Sequence, residues 1–425
     1  MYRYEQFDRE KLAYTMDVFD DYERRFAQAR LAHPKREPWK EADRAEIAAA
    51  LRDVIRFDEA MIPEIHVRET EEGVCQGFSV LHMLFESWEG FYGIATLVFP
   101  HVGENAGEKR PAVVICPGHG DAGRLTPSYQ RMALTIAAQG AYALILENLG
   151  QGCRSPFGHK VVPEAFYCGQ TVQGMIVMEA CGWINWLREQ PFVDECRIAA
   201  CGNSGGGTET LMLAGVNPYL AAVASTGFPS EYPYVLQKER RHCDCNLMRG
   251  ICGRIEMWEI YSLFAPRPLL VECGCFDHLL PVDTFHRNAR KCAAVWQMMG
   301  AGENFRAEIT QEKHSWTAAD IVVIADFLAD VLGLVKAEAA PEEGLIAPED
   351  VKLPFPADAL GTGEGIQRLT GMKMPGGMTL ADIFPPMYHG EPVDPEKIIP
   401  DLGRGNVMRV LAQQEMSLWD GLKRK

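Results

Sequence analysis

The chain has 425 residues, 47% of them hydrophobic and 24% charged. These ordinary globular fractions exclude a disordered, collagen-like or low-complexity protein. With 42 Lys and Arg against 58 Asp and Glu, the net charge is −16. Such a surface repels phosphate backbones and anionic lipid heads, so neither nucleic acid nor a membrane is an expected partner.

No run approaches the ~18–20 apolar residues of a membrane span. The N-terminal stretch has no apolar signal core or small-residue cleavage site, which makes the cytoplasm the expected compartment. The 13 cysteines are scattered from Cys75 to Cys292. They read as reduced, mostly buried thiols rather than a disulfide framework.

Residues 1–60 form an expected N-terminal helical extension, with helices near 4–32 and 39–57 separated by Pro34 and Pro38. Short β-rich runs follow at 65–68, 78–87 and 92–99, then a polar turn at 103–110. From Pro111 the pattern alternates. Strands are expected at 112–116, 141–146, 197–201, 221–225, 268–272 and 304–309, and helices at 128–139, 173–189, 206–214, 284–299 and 318–331. Short apolar strands without in/out alternation, separated by helices, imply a parallel sheet covered on both faces. Residues 61–335 therefore read as one doubly wound, mostly parallel α/β domain. Residues 336–425 form a Pro/Gly-rich C-terminal extension with a final helix near 405–423, expected to pack on the core or to support a homo-oligomer by packing on a neighbouring subunit.

The most informative stretch is Gly202-Asn203-Ser204-Gly205-Gly206, a G-x-S-x-G pattern between a buried strand and a helix. A tight strand-to-helix turn strains its middle residue and exposes that hydroxyl beside a helix N-terminus, whose dipole favours negative charge. A lone Ser is inert near neutral pH, so a carboxylate and an imidazole must follow it. Asp277 lies just past an expected strand end, and His314 lies in the loop before the last helix of the domain. Glu272 and Asp283 are alternative acids. His278 adjoins Asp277 too closely to reach back to it, and His242 has no strand leading into it.

An oxyanion needs two amides: Gly205, directly after the serine, and one from the loop 117–123, where Asp121 is favoured and Gly120 is next. His119 and Asn203 are candidate substrate contacts, His119 alternatively bracing its own loop. The set His242, Cys243, Asp244, Cys245, Cys252, Cys273 and Cys275 invites a zinc reading. Its C-x-C pairs do not match paired zinc knuckles, so buried thiols and no metal are expected. Asn148-Leu-Gly-Gln-Gly152 lacks the Lys of a phosphate-binding loop, and no cofactor is expected.

The chain resembles the α/β-hydrolases, in particular the acetyl xylan esterase-like and dienelactone hydrolase-like branch. The resemblance spans residues 110–334. It rests on Pro117-Gly118-His119-Gly120, Asn148-Leu-Gly-Gln-Gly152, the Ser204 motif, Ala265-Pro266-Arg267-Pro268 and His314. It implies the α/β-hydrolase fold, a Ser204–Asp277–His314 triad with oxyanion amides at Gly205 and the Gly120–Asp121 segment, and a serine hydrolase acting on small acetyl-ester, aryl-ester or lactone substrates. A peptidase or amidase of the same fold is an alternative, though no propeller-like repeat precedes the domain. A non-hydrolytic ligand-binding or lyase variant is another.

Overall fold

The computed structural model describes residues 36–37, 39–100, 108–235, 243–246, 248, 251, 254–277 and 279–376. The expected helices near 4–32 and 405–423, and also His242, Cys252 and His278, lie outside the described residues.

Among the described residues the strands are β1 (His66–Cys75), β2 (Phe78–Glu86), β3 (Tyr92–Phe99), β4 (Arg110–Cys116), β5 (Tyr142–Ile145), β6 (Val193–Asn203), β7 (Ala222–Thr226), β8 (Leu269–Gly274) and β9 (Phe305–Thr310). They make one sheet in the order β1-β2-β3-β5-β4-β6-β7-β8-β9. The neighbours from β5 to β9 are parallel, while β1, β2 and β3 join antiparallel at one edge. The helices are α1 (Asp43–Ile55), α2 (Pro127–Ala138), α3 (Val162–Tyr167), α4 (Val172–Glu189), α5 (Gly205–Val216), α6 (Tyr232–Val235), α7 (Met257–Ser262), α8 (Val282–Met298), α9 (Ala318–Leu332) and α10 (Thr362–Thr370).

Two hydrophobic cores flank the sheet because successive side chains of each strand point to opposite faces. On β4, Ala112, Val114 and Cys116 join α4, α5, α7 and α8 on one face, while Val113 and Ile115 join α2 and α9 on the other. Every residue of β7 and β8 is buried, which explains why these strands show no alternation of apolar and exposed polar residues.

The first strand is longer than its apolar start suggests. It runs to Cys75 through Glu69, Glu71 and Glu72, mostly exposed as an edge strand should be. A tight hairpin at Gln76 and Gly77, with φ of 49° and 84°, returns the chain into β2 in a form suited to the strand twist.

The N-terminal helix α1 buries Ile47, Leu51, Val54 and Ile55 against the main core. Arg36, ahead of it, pairs at 3.1 Å with the buried Glu259 of α7. On the C-terminal side, residues 336–376 run back over the domain. Arg131 of α2 donates to the Ala340 carbonyl at 2.6 Å, Gln130 holds both backbone groups of Ile346, and the Leu360 amide reaches the Gly90 carbonyl at 3.0 Å. A cavity of about 250 Å³ lies between this strap (Pro348, Val351, Leu353, Phe355) and the turn at Asp121–Leu125. No described helix is long and apolar enough to cross a membrane.

Candidate active site

Ser204 follows β6 and is the N-cap of α5, with φ 59° and ψ −113°, a conformation a side-chain-bearing residue holds only when its surroundings enforce it. Its amide donates to the Thr226 carbonyl of β7 at 3.0 Å, and its carbonyl accepts from the Thr208 amide at 3.0 Å. The turn needs glycine at position 206: a Cβ there would lie 1.8 Å from the Cys116 carbonyl oxygen. The strand behind the turn is apolar and buried, so the half-buried hydroxyl is held at the C-terminal edge of the sheet.

His314 Nε2 lies 2.8 Å from Ser204 Oγ, and His314 Nδ1 lies 2.6 Å from Asp277 Oδ2. Two neighbouring loops make this possible. Asp277 follows β8, and its other oxygen accepts from the Leu279 and Leu280 amides at 2.7 and 3.1 Å. His314 follows β9, and the two loops are tied by the Cys275 amide on the Thr310 carbonyl (2.8 Å) and the Phe276 amide on the Glu312 carbonyl (2.9 Å). Trp316 donates its indole N–H to Thr226 Oγ1 at 2.7 Å, and Thr317 starts α9 with a capping box to Asp320.

The Asp277 side chain is 1% exposed. Burial alone would push its carboxyl up, but the hydrogen bond and charge of His314, with the two amides, hold it below the ordinary carboxylate value. An Asp so placed keeps the Nδ1–H tautomer and leaves Nε2 as the acceptor facing the serine hydroxyl.

The other acids are engaged elsewhere. Glu272 accepts from Thr310 Oγ1 at 3.0 Å, and burial, then the charge of Asp320, pushes its pKa up to about 8. Asp283 pairs with Arg287.

The Gly205 amide stands at the N-terminus of α5. In the loop 117–123, Gly118, where a Cβ would sit 3.1 Å from Ser204 Cβ, and His119, whose ring packs on Gly205, lie against the turn at Ser204. A Cβ on Gly120 would meet Thr126 Oγ1 at 3.2 Å, and Asp121 lines the cavity under the strap. The Gly118 amide is taken by Tyr129 Oη at 2.6 Å. Asn148 braces the start of this loop, donating to the Pro117 carbonyl at 3.1 Å and to Glu209 Oε2 at 3.0 Å. Asn203 is buried, accepts from Thr226 Oγ1 at 3.3 Å and presses on Gly227, so it supports the turn from beneath.

One constellation was not assembled from sequence. His119 and His159 meet Nε2 to Nε2 at 3.1 Å. Cys245 Sγ lies 3.3 Å from His119 Nε2, and Cys243 Sγ lies 3.3 Å from His159 Nε2. The hydrogen bond of Cys245, then those of the two imidazoles, outweigh burial and hold the Cys243 thiol well below its usual range. Cys273 and Cys275, which shared the zinc reading in the sequence, are not part of this group.

No family model matches the chain. A curated Bacillus subtilis protein, YtaP, assigned as a hydrolase, is 22% identical over 196 residues, 45% of this chain. The match spans 64% of that relative, less than two thirds of its length. Among solved structures, a methylesterase superposes with a TM-score of 0.60 at 19% identity, over 82% of this chain and 78% of its own. A Bacteroides fragilis protein assigned as an acetyl xylan esterase superposes with a TM-score of 0.53 at 16% identity, over 66% and 80%. With its mixed, mostly parallel sheet and the strand-to-helix turn at Ser204, this chain has the α/β-hydrolase fold.

Proposed function

We propose that the protein is a serine hydrolase that cleaves carboxylic esters of small molecules. The carrying observation is the unbroken hydrogen-bond chain from Ser204 Oγ through His314 to Asp277. In this reading Ser204 Oγ attacks the ester carbonyl carbon as His314 Nε2 takes its proton. Asp277 holds the imidazole and stabilises the imidazolium that forms. The developing oxyanion is met by the Gly205 amide and by a second amide from the His119–Asp121 segment. His119 comes first there because its residue lies against the nucleophile turn. His314 then returns the proton to the leaving alcohol, and a water activated by the same imidazole releases the acid from the acyl-enzyme.

Ester rather than amide substrates agree with the structural neighbours, a methylesterase and a protein assigned as an acetyl xylan esterase. Acetylated sugars, aryl esters and lactones are the substrate classes to screen.

The test is Ser204→Ala on p-nitrophenyl acetate, with fluorophosphonate labelling of the folded parent protein. We expect turnover to fall by up to ~10⁶, the scale seen when such a unit is dismantled, and the label to sit on Ser204. Undiminished turnover in the variant, or a parent serine that resists the probe, refutes the reading. Greater activity on short peptide amides than on esters would move the protein to the peptidase class.

A further inference from the structure

We propose that His119, His159, Cys243 and Cys245 bind one zinc ion in a closed tetrahedral site beside Ser204. The four ligand atoms, one nitrogen or sulfur from each residue, all lie within 4.8 Å of one another. Tetrahedral zinc with nitrogen at ~2.0–2.1 Å and sulfur at ~2.3 Å has ligand–ligand edges of roughly 3.3–3.8 Å. The observed contacts of 3.1, 3.3 and 3.3 Å need to open by a few tenths of an ångström, and the widest pairs, up to 4.8 Å apart, to close by up to about 1 Å, to admit the ion.

The orientation of the imidazoles supports a metal over a chance cluster. His159 Nδ1 lies 2.8 Å from the Leu149 carbonyl oxygen, which can only accept. The proton is therefore on Nδ1, and the Nε2 lone pair points into the cluster. Metal-binding histidines are held in this way, the second nitrogen donating to a carbonyl or carboxylate. His119 presents its own Nε2 to the same centre while the Nδ1 side of its ring lies over Gly205, where a Cβ would be 2.8 Å away. Thiolate with imidazole is a zinc donor set, unsuited to calcium or magnesium, which want oxygen. Two thiolates, their protons released on binding, balance the charge of the dication.

Three segments meet at this point: the loop after β4, the loop after β5, and the stretch between α6 and α7. Four protein ligands leave no open position for water, so the ion is structural. Its consequence for catalysis rests on the esterase reading: by fixing the His119 ring against Gly205, it holds the loop proposed to supply the second oxyanion amide.

The experiment uses the full chain, expressed without a polyhistidine tag and assayed for metals by mass spectrometry. About one zinc per chain is expected. Replacement by cobalt should give a thiolate-to-metal charge-transfer absorption with the intense visible bands of tetrahedral cobalt. Cys245→Ser and His159→Ala should each lose that spectrum, and Cys196→Ser, at an exposed thiol outside the cluster, should keep it. Parent protein that neither carries zinc nor retains an added equivalent against a weak chelator overturns the proposal without recourse to any variant. A cobalt form lacking charge transfer, or a Cys245→Ser protein with full zinc, overturns it too. Metal content is read without substrate, so failure of this site and failure of the esterase reading are separate results.

Discussion

Glu209, on the second turn of α5, is fully buried, and one of its oxygens accepts from Asn148 at 3.0 Å. Burial, only partly offset by that hydrogen bond, pushes its pKa from 4.5 up to about 8. The folded protein thus holds this proton over a pH range in which the unfolded chain has lost it. For an acid with a raised pKa, the contribution is most favourable below the unfolded value and falls as pH rises toward the folded one. At ~1.4 kcal/mol per unit, the parent protein should lose roughly 4 kcal/mol through this group between about pH 5 and about pH 9. Glu209→Gln keeps an oxygen for Asn148 and removes the ionisation. The assay is urea unfolding of both proteins across that range, taking the difference in stability at each pH. Groups present in both, including Glu272, cancel in the difference, which should swing by roughly 4 kcal/mol in favour of the variant as pH rises. Parallel curves would refute the assignment of a neutral carboxyl at this position.

Other expectations follow from the same geometry. Asp277→Asn should lower kcat by ~10⁴, as removing the charge does in a well-studied triad, with little change in KM for p-nitrophenyl acetate. Because the Asp277 pKa is depressed, its stabilising contribution should be full above the ordinary carboxylate value and vanish as pH falls through the folded one. A variant with an unchanged stability–pH profile would contradict this. Gly206→Ala places a Cβ 1.8 Å from the Cys116 carbonyl, so β4 and the turn must separate. Loss of ester hydrolysis and of about 3 kcal/mol is expected in urea titration, and a parent-like variant would show the turn to be looser than described. Arg124→Met strands Glu147, whose side chain is fully buried and 2.8 Å from that guanidinium. It should cost about 3–5 kcal/mol, and Arg124→Met with Glu147→Leu should recover most of it; equal stabilities for the single and double variants would argue against a buried charge.

The central elements were legible because strands buried on both faces have to be continuously apolar. Runs such as Ala112–Cys116 and Leu269–Val271 fall where the sheet needs them, with the helices between them starting and stopping within a few residues of expectation. Elements that carry little apolar signal were not. The exposed strand β1 extends through three glutamates, and the six-residue helices α3 and α7 are too short to show a helical period. In the loop beside the serine, Gly118 and His119 lie against the turn, a contact that local pattern does not reveal.

Local chemistry carried the serine, its acid and its imidazole, because each sits at a strand end and strand ends follow from periodicity. The strained turn also announces itself through glycines that no other backbone path requires. What only folding decided is which distant groups share a neighbourhood. His119, His159 and the two cysteines of the 243–245 segment lie 40 and 84 residues apart along the chain, on loops whose paths no local pattern encodes. Parallel strands bring their C-terminal ends to one edge whatever the loops contain, and those loops meet only once the sheet has closed the distance.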